Sequence, residues 1–269
     1  MNKTTKIKYF GGPSYEKKDL MVMEPELLRA LLHERVHHNI EVPFYSLLGQ
    51  WDGKPKPSFG LQAQLAFDVW KERGLTQDDE DIQWASEYCE LAEKVRTGEK
   101  IEWKMLPHKP LSNEQLEIIE KLIQVRCSIR DWIDKSIPDS MIHRVLEAGR
   151  AAPIGCNLNE LRFIILKDQK EIEMIWSDIH VKHAVVIVLC YDKRIAQVVG
   201  QDTLVPQNPG YDAAAAADHM LLMAHALGLG GVWLSKLVDS ENTKDTGRIF
   251  REKYGLPEYI EVALHIAIG

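Results

Sequence analysis

From residue 24 the apolar positions recur at helical spacing. Leu27, Leu28, Leu31, Leu32 and Val36 share one side of a helix predicted over Glu24–His38. Leu61–Arg73 and Asp78–Arg96 repeat the pattern and stop at Gly74 and Gly98; the second is acidic early and basic late, as the helix dipole favours. Residues 1–23 carry no such period and read as irregular, with Gly11-Gly12-Pro13 as a turn. Pro43, Asp52-Gly53, Pro55, Pro57 and Gly60 predict a loop-rich stretch.

The pattern changes near residue 110. LPHKPLSNEQ (106–115) holds two prolines and a Ser112/Gln115 pair spaced as a capping box, so a boundary is placed there. Two domains follow from it: a helical extension over 1–110 and a second domain over 111–269. In the second domain Asn113–Val125 is predicted helical, and Pro138 starts another helix over Asp139–Ala151. LRFIIL (161–166) and AVVIVLC (184–190) are short β-branched runs that read as buried strands. Asp212–Leu227 is apolar almost all round, hence a buried helix. VWLSKL and IEVALHIAI (260–268) complete the strands. Helices interleaved with strands predict an α/β or α+β domain.

Composition excludes more than it selects. The chain has 269 residues, 45% hydrophobic and 27% charged, with a formal net charge of −7. An acidic balance argues against nucleic acid and anionic lipid as partners. No apolar run approaches the roughly 20 residues that span a bilayer, and no continuous apolar segment follows the N-terminal lysines, so neither a membrane partner nor a secretory signal is expected. Cys89, Cys127, Cys156 and Cys190 are far apart and form no C-x-x-C. Their spacing leaves disulfides open, and a reduced cytoplasmic setting is expected.

Four stretches offer chemistry. His33-Glu34-Arg35-Val36-His37 has the H-E-x-x-H spacing of a zinc protease helix. Its inner pair includes an arginine, and no third ligand follows at a recognisable spacing. The competing reading is a helix C-terminus enriched in histidine, and no metal is expected. LGLGG (227–231) lies between a helix and a strand, the reverse of the order a dinucleotide fold needs. In VRCSIRDW (125–132), an extended chain would project Arg126, Ser128 and Arg130 to one side, a cradle for an anion. In AAPIGCNLNELRFIIL (151–166), a turn with Pro153, Gly155, Asn157 and Asn159 precedes a strand and offers free backbone N–H groups to a planar heteroaromatic ligand.

Taken together, RCSIR, AAPIGCN and DAAAAADHMLLMAHALGLGGVWL resemble the nitroreductase-like FMN-dependent oxidoreductases over roughly residues 113–269. The resemblance implies an α+β fold with a central mixed β-sheet flanked by helices. The same resemblance implies a homodimer that binds FMN and moves a hydride from NAD(P)H to a small organic acceptor. A dehalogenating or flavin-cleaving enzyme of the same fold, or a flavin-binding protein of little turnover whose extension docks a partner, is the alternative.

The family pattern assigns Arg126, Cys127 and Ser128 to the phosphate and ribityl end and Arg130 to the N1/O2 edge of the ring. Pro153, Ile154, Gly155 and Asn157 would reach the flavin from the other subunit, with Ile154 standing where relatives usually carry serine. Trp233, Leu234 and Ser235 would line the ring, and the alanine-rich helix would lie at the dimer centre. No catalytic side chain is assigned, because the flavin carries the chemistry. Relatives generally continue beyond the last strand in a basic tail. The extension, rich in Phe44, Tyr45, Trp51, Phe59, Phe67 and Trp70, is therefore expected to wrap the flavin domain in its place.

Overall fold

The computed structural model describes residues 12–48, 51–101, 109–175, 181–234 and 246–269. Contacts divide the chain into two compact units. The first comprises 1–107 with 156–159 and 194–206; the second comprises 108–155, 160–193 and 207–269.

The first unit is helical: α1 (Lys17–Val22), α2 (Pro25–Val36), α3 (Val42–Leu48), α4 (Leu61–Glu72) and α5 (Glu80–Thr97). Residues 17–22 are helical where no period was visible. The segment is six residues long and buries only Leu20, too little to leave a periodic trace, yet Glu16 and Asp19 close it with a capping box.

Pro43 lies in a helix and not in the loop-rich stretch expected. A wide π turn over His37–Glu41 joins α2 to α3, with Val42 N–H reaching His37 O. That extra residue shifts the backbone ahead of Pro43, so its ring and missing N–H fall at the start of α3 rather than inside a regular ladder.

Leu28, Leu31, Leu32 and Val36 of α2 pack with Ile40, Phe44, Phe67, Trp70, Ile82 and Val95 in one core. Gly60 takes φ +67°, and a Cβ there would stand 2.7 Å from Ile40 Cγ1, so the turn into α4 needs glycine. The aromatic residues expected to cover another surface serve this core instead. Phe44, Phe67 and Trp70 are buried in it, whereas Tyr45 is exposed. Three helices packed on one another need no sheet beneath them.

The second unit is an α+β domain. Its elements are α6 (Asn113–Val125), α7 (Asp139–Arg150), β1 (Leu161–Leu166), α8 (Gln169–Ile175), β2 (Val185–Asp192), α11 (Asn208–Ala226), β3 (Gly231–Leu234), α12 (Thr246–Tyr254) and β4 (Ile260–Ile268). Between β2 and α11 run α9 (Lys193–Val199) and α10 (Gln201–Leu204), most of which belongs to the first unit.

The sheet order is β1-β2-β4-β3, and all three pairings are antiparallel. The mixed character expected of it is confined to one parallel bridge, Ser128 to Gly231. The apolar run of β2 is explained by cover on both faces. Val185, Ile187 and Leu189 meet α7 and α11, while Val186, Val188 and Cys190 join Trp132, Ile172 and Phe250 on the other side.

The alanines of α11 are spent inside the unit. Ala213, Ala216, Ala217 and Ala224 are buried with Ile142 and Val145 of α7, and a Cβ on Gly149 would stand 2.7 Å from Met220 Sδ. Small side chains there let α7 and α11 approach. These four positions face inward within the unit. Helix α6 buries none of its residues. Its capping box forms as expected, with Gln115 N–H on Ser112 Oγ at 3.3 Å and Ser112 N–H on Gln115 Oε1 at 3.0 Å. Among the described residues no helix is long and apolar enough to cross a membrane.

Candidate functional site

The RCSIR segment leaves α6 in extended conformation, Arg126 at φ −60° and ψ 127°. It runs along the free edge of β3, where Ser128 bridges Gly231 and Ile129 N–H donates to Gly231 O at 3.0 Å. Alternation then sends Ile129 to one side and Arg126, Ser128 and Arg130 to the other. Arg126 is half-buried; Cys127, Ser128 and Arg130 are exposed. Next along β3, Trp233 is 39% exposed and Leu234 is half-buried. The edge therefore sets two guanidinium groups and a hydroxyl beside an indole. Ser235 lies outside the described residues.

The glycines between α11 and β3 make this approach possible. Gly228 closes α11 with φ +79°, and Leu229 N–H reaches back to Ala224 O at 2.9 Å, a Schellman ending. A Cβ on Gly230 would stand 2.8 Å from Ile129 Cγ2 and 3.1 Å from Trp132 Cζ3. GLGG thus seats the RCSIR segment against β3 rather than cradling a pyrophosphate, as the helix–glycine–strand order implied.

The second cluster stands at the other end of α11. Pro153 is exposed, and Ile154, Gly155, Cys156 and Asn157 are half-buried. Cys156 and Asn157 take φ of 54° and 55°, a left-handed pair that costs energy outside glycine. The turn's N–H groups are not all free as expected: Gly155 N–H is held by both oxygens of Asp212, at 2.9 and 3.0 Å. Asp212 and Ala226 are 14 residues apart in α11, so the two points of the helix nearest these clusters are separated by about 21 Å at 1.5 Å per residue.

Sequence reasoning missed the acids behind this turn. Glu160 is 1% exposed, Asp192 1% and Asp212 6%. Burial, then Asp212 and Asp192, pushes the Glu160 carboxyl up to about 8. The available signal was an acid standing alone ahead of an apolar helix, Asp212, and another directly ahead of a strand, Glu160.

The HERVH motif lies in the first unit and is internally paired. Glu34, fully buried, takes His38 Nδ1 on Oε1 at 2.9 Å and Arg35 on Oε2. His37 Nδ1 meets Glu41 at 2.7 Å. His33 Nε2 lies 2.6 Å from Asp81 Oδ2, close enough to pair as ions but not aligned as a hydrogen bond. Burial raises the Asp81 carboxyl, yet His33 and Arg29 outweigh it and hold it well below the usual carboxylate range. Each histidine thus faces a carboxylate of its own, and among the described residues no three His, Cys, Asp or Glu side chains converge as metal ligands. Metal analysis after dialysis should give well under one zinc per chain; stoichiometric zinc lost on His33→Ala would overturn this. None of the four cysteines is in a disulfide, and burial pushes the Cys89 and Cys190 thiols up to about 12. Neither is a nucleophile at neutral pH.

An α+β domain whose sheet-edge segment carries two arginines and a serine leaves the class of protein open. Comparison with known proteins narrows it. The sequence model described as "Nitroreductase family" matches residues 123–209. The chain is 30% identical over 154 residues to an Archaeoglobus fulgidus protein named "Putative NADH dehydrogenase/NAD(P)H nitroreductase", covering 55% of this chain and 83% of that one. It is 28% identical over 149 residues to a protein of the same name from Methanothermobacter thermautotrophicus, covering 54% and 73%. Among solved structures it is similar to the FMN-dependent nitroreductase of Clostridium difficile, with a TM-score of 0.47 and 25% identity over 56% of this chain and 86% of that one. The chain belongs to the nitroreductase family.

Proposed function

We propose that the protein is an FMN-dependent oxidoreductase that takes a hydride from NAD(P)H and passes it to a small organic acceptor. The observation that supports this reading is the Ser128–Gly231 bridge, which lays the segment of Arg126, Ser128 and Arg130 along the strand that carries Trp233. The residues fit the cofactor by their chemistry. Two guanidiniums and a hydroxyl suit a phosphate monoester and a polyol, and an indole beside them suits a flat heteroaromatic ring. Bound FMN supplies the two-electron chemistry, accepting and donating hydride at N5.

The chain's own residues bind and tune. Arg126 and Ser128 hold the phosphate and ribityl end, with Cys127 between them in the same segment. Arg130 places a positive charge at the N1/O2 edge, where it favours added electron density. Trp233 and Leu234 would line the ring. Pro153, Ile154, Gly155 and Asn157 would reach it from a second copy, as the family pattern implies. A homodimer also accounts for α6, whose Leu116, Ile118, Ile119 and Ile123 are exposed together with Val125 and Ile129 of the following segment.

The protein should be purified yellow and release FMN, not FAD, on denaturation. Arg126→Ala should weaken FMN binding by about 1.5–3 kcal/mol, the scale of a charge-assisted hydrogen bond, or about 10- to 150-fold in dissociation constant. Fluorescence titration of the apoprotein reads this directly, and an unchanged constant would remove the cradle. Anaerobic bleaching by NADH or NADPH tests the reductase half-reaction. A protein that neither carries nor takes up FMN would end the proposal.

A further inference from the structure

Behind the 153–157 turn two buried acids face each other. Asp212, in α11, gives both carboxylate oxygens to the Gly155 N–H. Glu160, just ahead of β1, has its carboxyl beside that of Asp212, close enough for the two to interact. Its position is pinned by Asp192 N–H donating to its own C=O at 3.0 Å. Its second oxygen, Oε2, is buried with no hydrogen-bond partner among the described residues. Ionised carboxylates only accept hydrogen bonds, so a carboxyl–carboxyl bond contains a proton.

We propose that Glu160 and Asp212 form a proton-sharing pair that positions the Gly155 turn, and with it the partner-facing side of the cofactor site. The inference rests on the FMN reading for its consequence but not for the pair itself. Asp212 is a positioning residue: it acts on the cofactor only through the Gly155 backbone.

The surrounding charges favour the shared proton. Burial raises the Glu160 carboxyl first, and the charges that then act on it are the anions Asp212 and Asp192. Tyr191, next to Asp192 on β2, is itself raised by burial and by Glu261 and Glu160. Asp212 is raised by burial, against which the Gly155 N–H and Glu160 work to lower it. The proton therefore resides on Glu160, and the titration belongs to the pair. Its loss leaves two facing anions, with Asp192 a third, in a site nearly without water. Repulsion then loosens Asp212 from Gly155 N–H. The left-handed Cys156 and Asn157 follow directly, a conformation that persists only where its surroundings enforce it.

The sign of the pH effect follows from the raised carboxyl. Below the unfolded value of 4.5, Glu160 is protonated in both states. From there to about 8 the folded chain holds a proton the unfolded chain has released, so stability falls as pH rises through that window and levels off above it. Glu160→Gln keeps an amide donor for Asp212 and removes the proton.

Two measurements on the full-length protein decide the matter. Urea unfolding of the apoprotein from pH 5 to pH 9 should show the wild-type midpoint falling relative to Glu160→Gln up to about pH 8, then running parallel. Midpoints that stay parallel throughout overturn the proton-sharing pair. FMN titration should give a wild-type dissociation constant that rises about tenfold per pH unit above the pair's titration, a flat profile for Glu160→Gln, and a flat profile for Asp212→Asn, whose amide serves Gly155 N–H and an ionised Glu160 together. Equal profiles for wild type and Glu160→Gln overturn the positioning role. Failure to bind FMN at pH 7 would sink the FMN reading and the positioning role with it, while the unfolding series would still decide the pair.

Discussion

A chain starting near Pro110 should aggregate rather than fold as a soluble flavoprotein. The helical unit does not consist of residues 1–107 alone, since 156–159 and 194–206 belong to it. Leu158, Ile195 and Val199 are 4%, 1% and 0% exposed, and they lie in the same core as Leu28, Phe44 and Trp70. Tyr15 adds a hydrogen bond from its hydroxyl to Val198 O at 2.8 Å. Burial of each such aliphatic side chain is worth roughly 1.5–3 kcal/mol. Deletion would strip all three of their partners and leave a contiguous apolar surface in water. Solubility and size-exclusion chromatography of the truncated chain check this. A soluble, dimeric and yellow product would show that the helical unit is dispensable and that the later segments are stable without it.

Glu34→Ala should destabilise the protein by about 3–5 kcal/mol, the cost of leaving a buried charge without its counter-ion. Arg35 is 5% exposed; its guanidinium is held by Glu34 and by Pro13 O, the latter at 2.8 Å. Removing the carboxylate leaves that cation, among the described residues, a single neutral carbonyl, and it also takes away the Glu34 oxygen that meets His38 Nδ1. Glu34→Gln keeps an acceptor oxygen in place and should lose less. Urea unfolding of the three proteins at neutral pH measures both effects. A loss under about 1 kcal/mol for Glu34→Ala would mean that the Arg35 charge is satisfied without Glu34.

The HERVH motif thus answers to packing. The pattern of a glutamate between two histidines arises here because α2 is buried on nearly all sides in its last turns, where His33, Glu34, Arg35 and Val36 are all enclosed. Buried charges are kept only in pairs, and i,i+4 spacing on a helix supplies pairs such as Glu34–His38 and His37–Glu41. A ligand set and a set of internal ion pairs look alike in one dimension; the facing residue, Asp81 on α5, separates them.

Where a residue's neighbours along the chain set its role, the sequence determined it. The helices α4, α5, α6 and α7, the Ser112/Gln115 capping box, the strands β1, β2 and β4, and the glycine ending of α11 were all legible. Each depends on periodicity, capping or φ over a few residues. The extended course of Arg126–Arg130 was legible too, because alternation is local.

Only the tertiary structure decided the rest. A π turn let Pro43 enter a helix, a choice made by the packing of Ile40 and Phe44 rather than by proline's own preference. The alanines of α11 face α7 and the sheet, which no spacing rule assigns. Glu160, Asp192 and Asp212 come from three separate elements and meet only when β1, β2 and α11 pack. An acid's burial, and hence its proton, depends on what folds over it, and that information is not carried by the residues beside it.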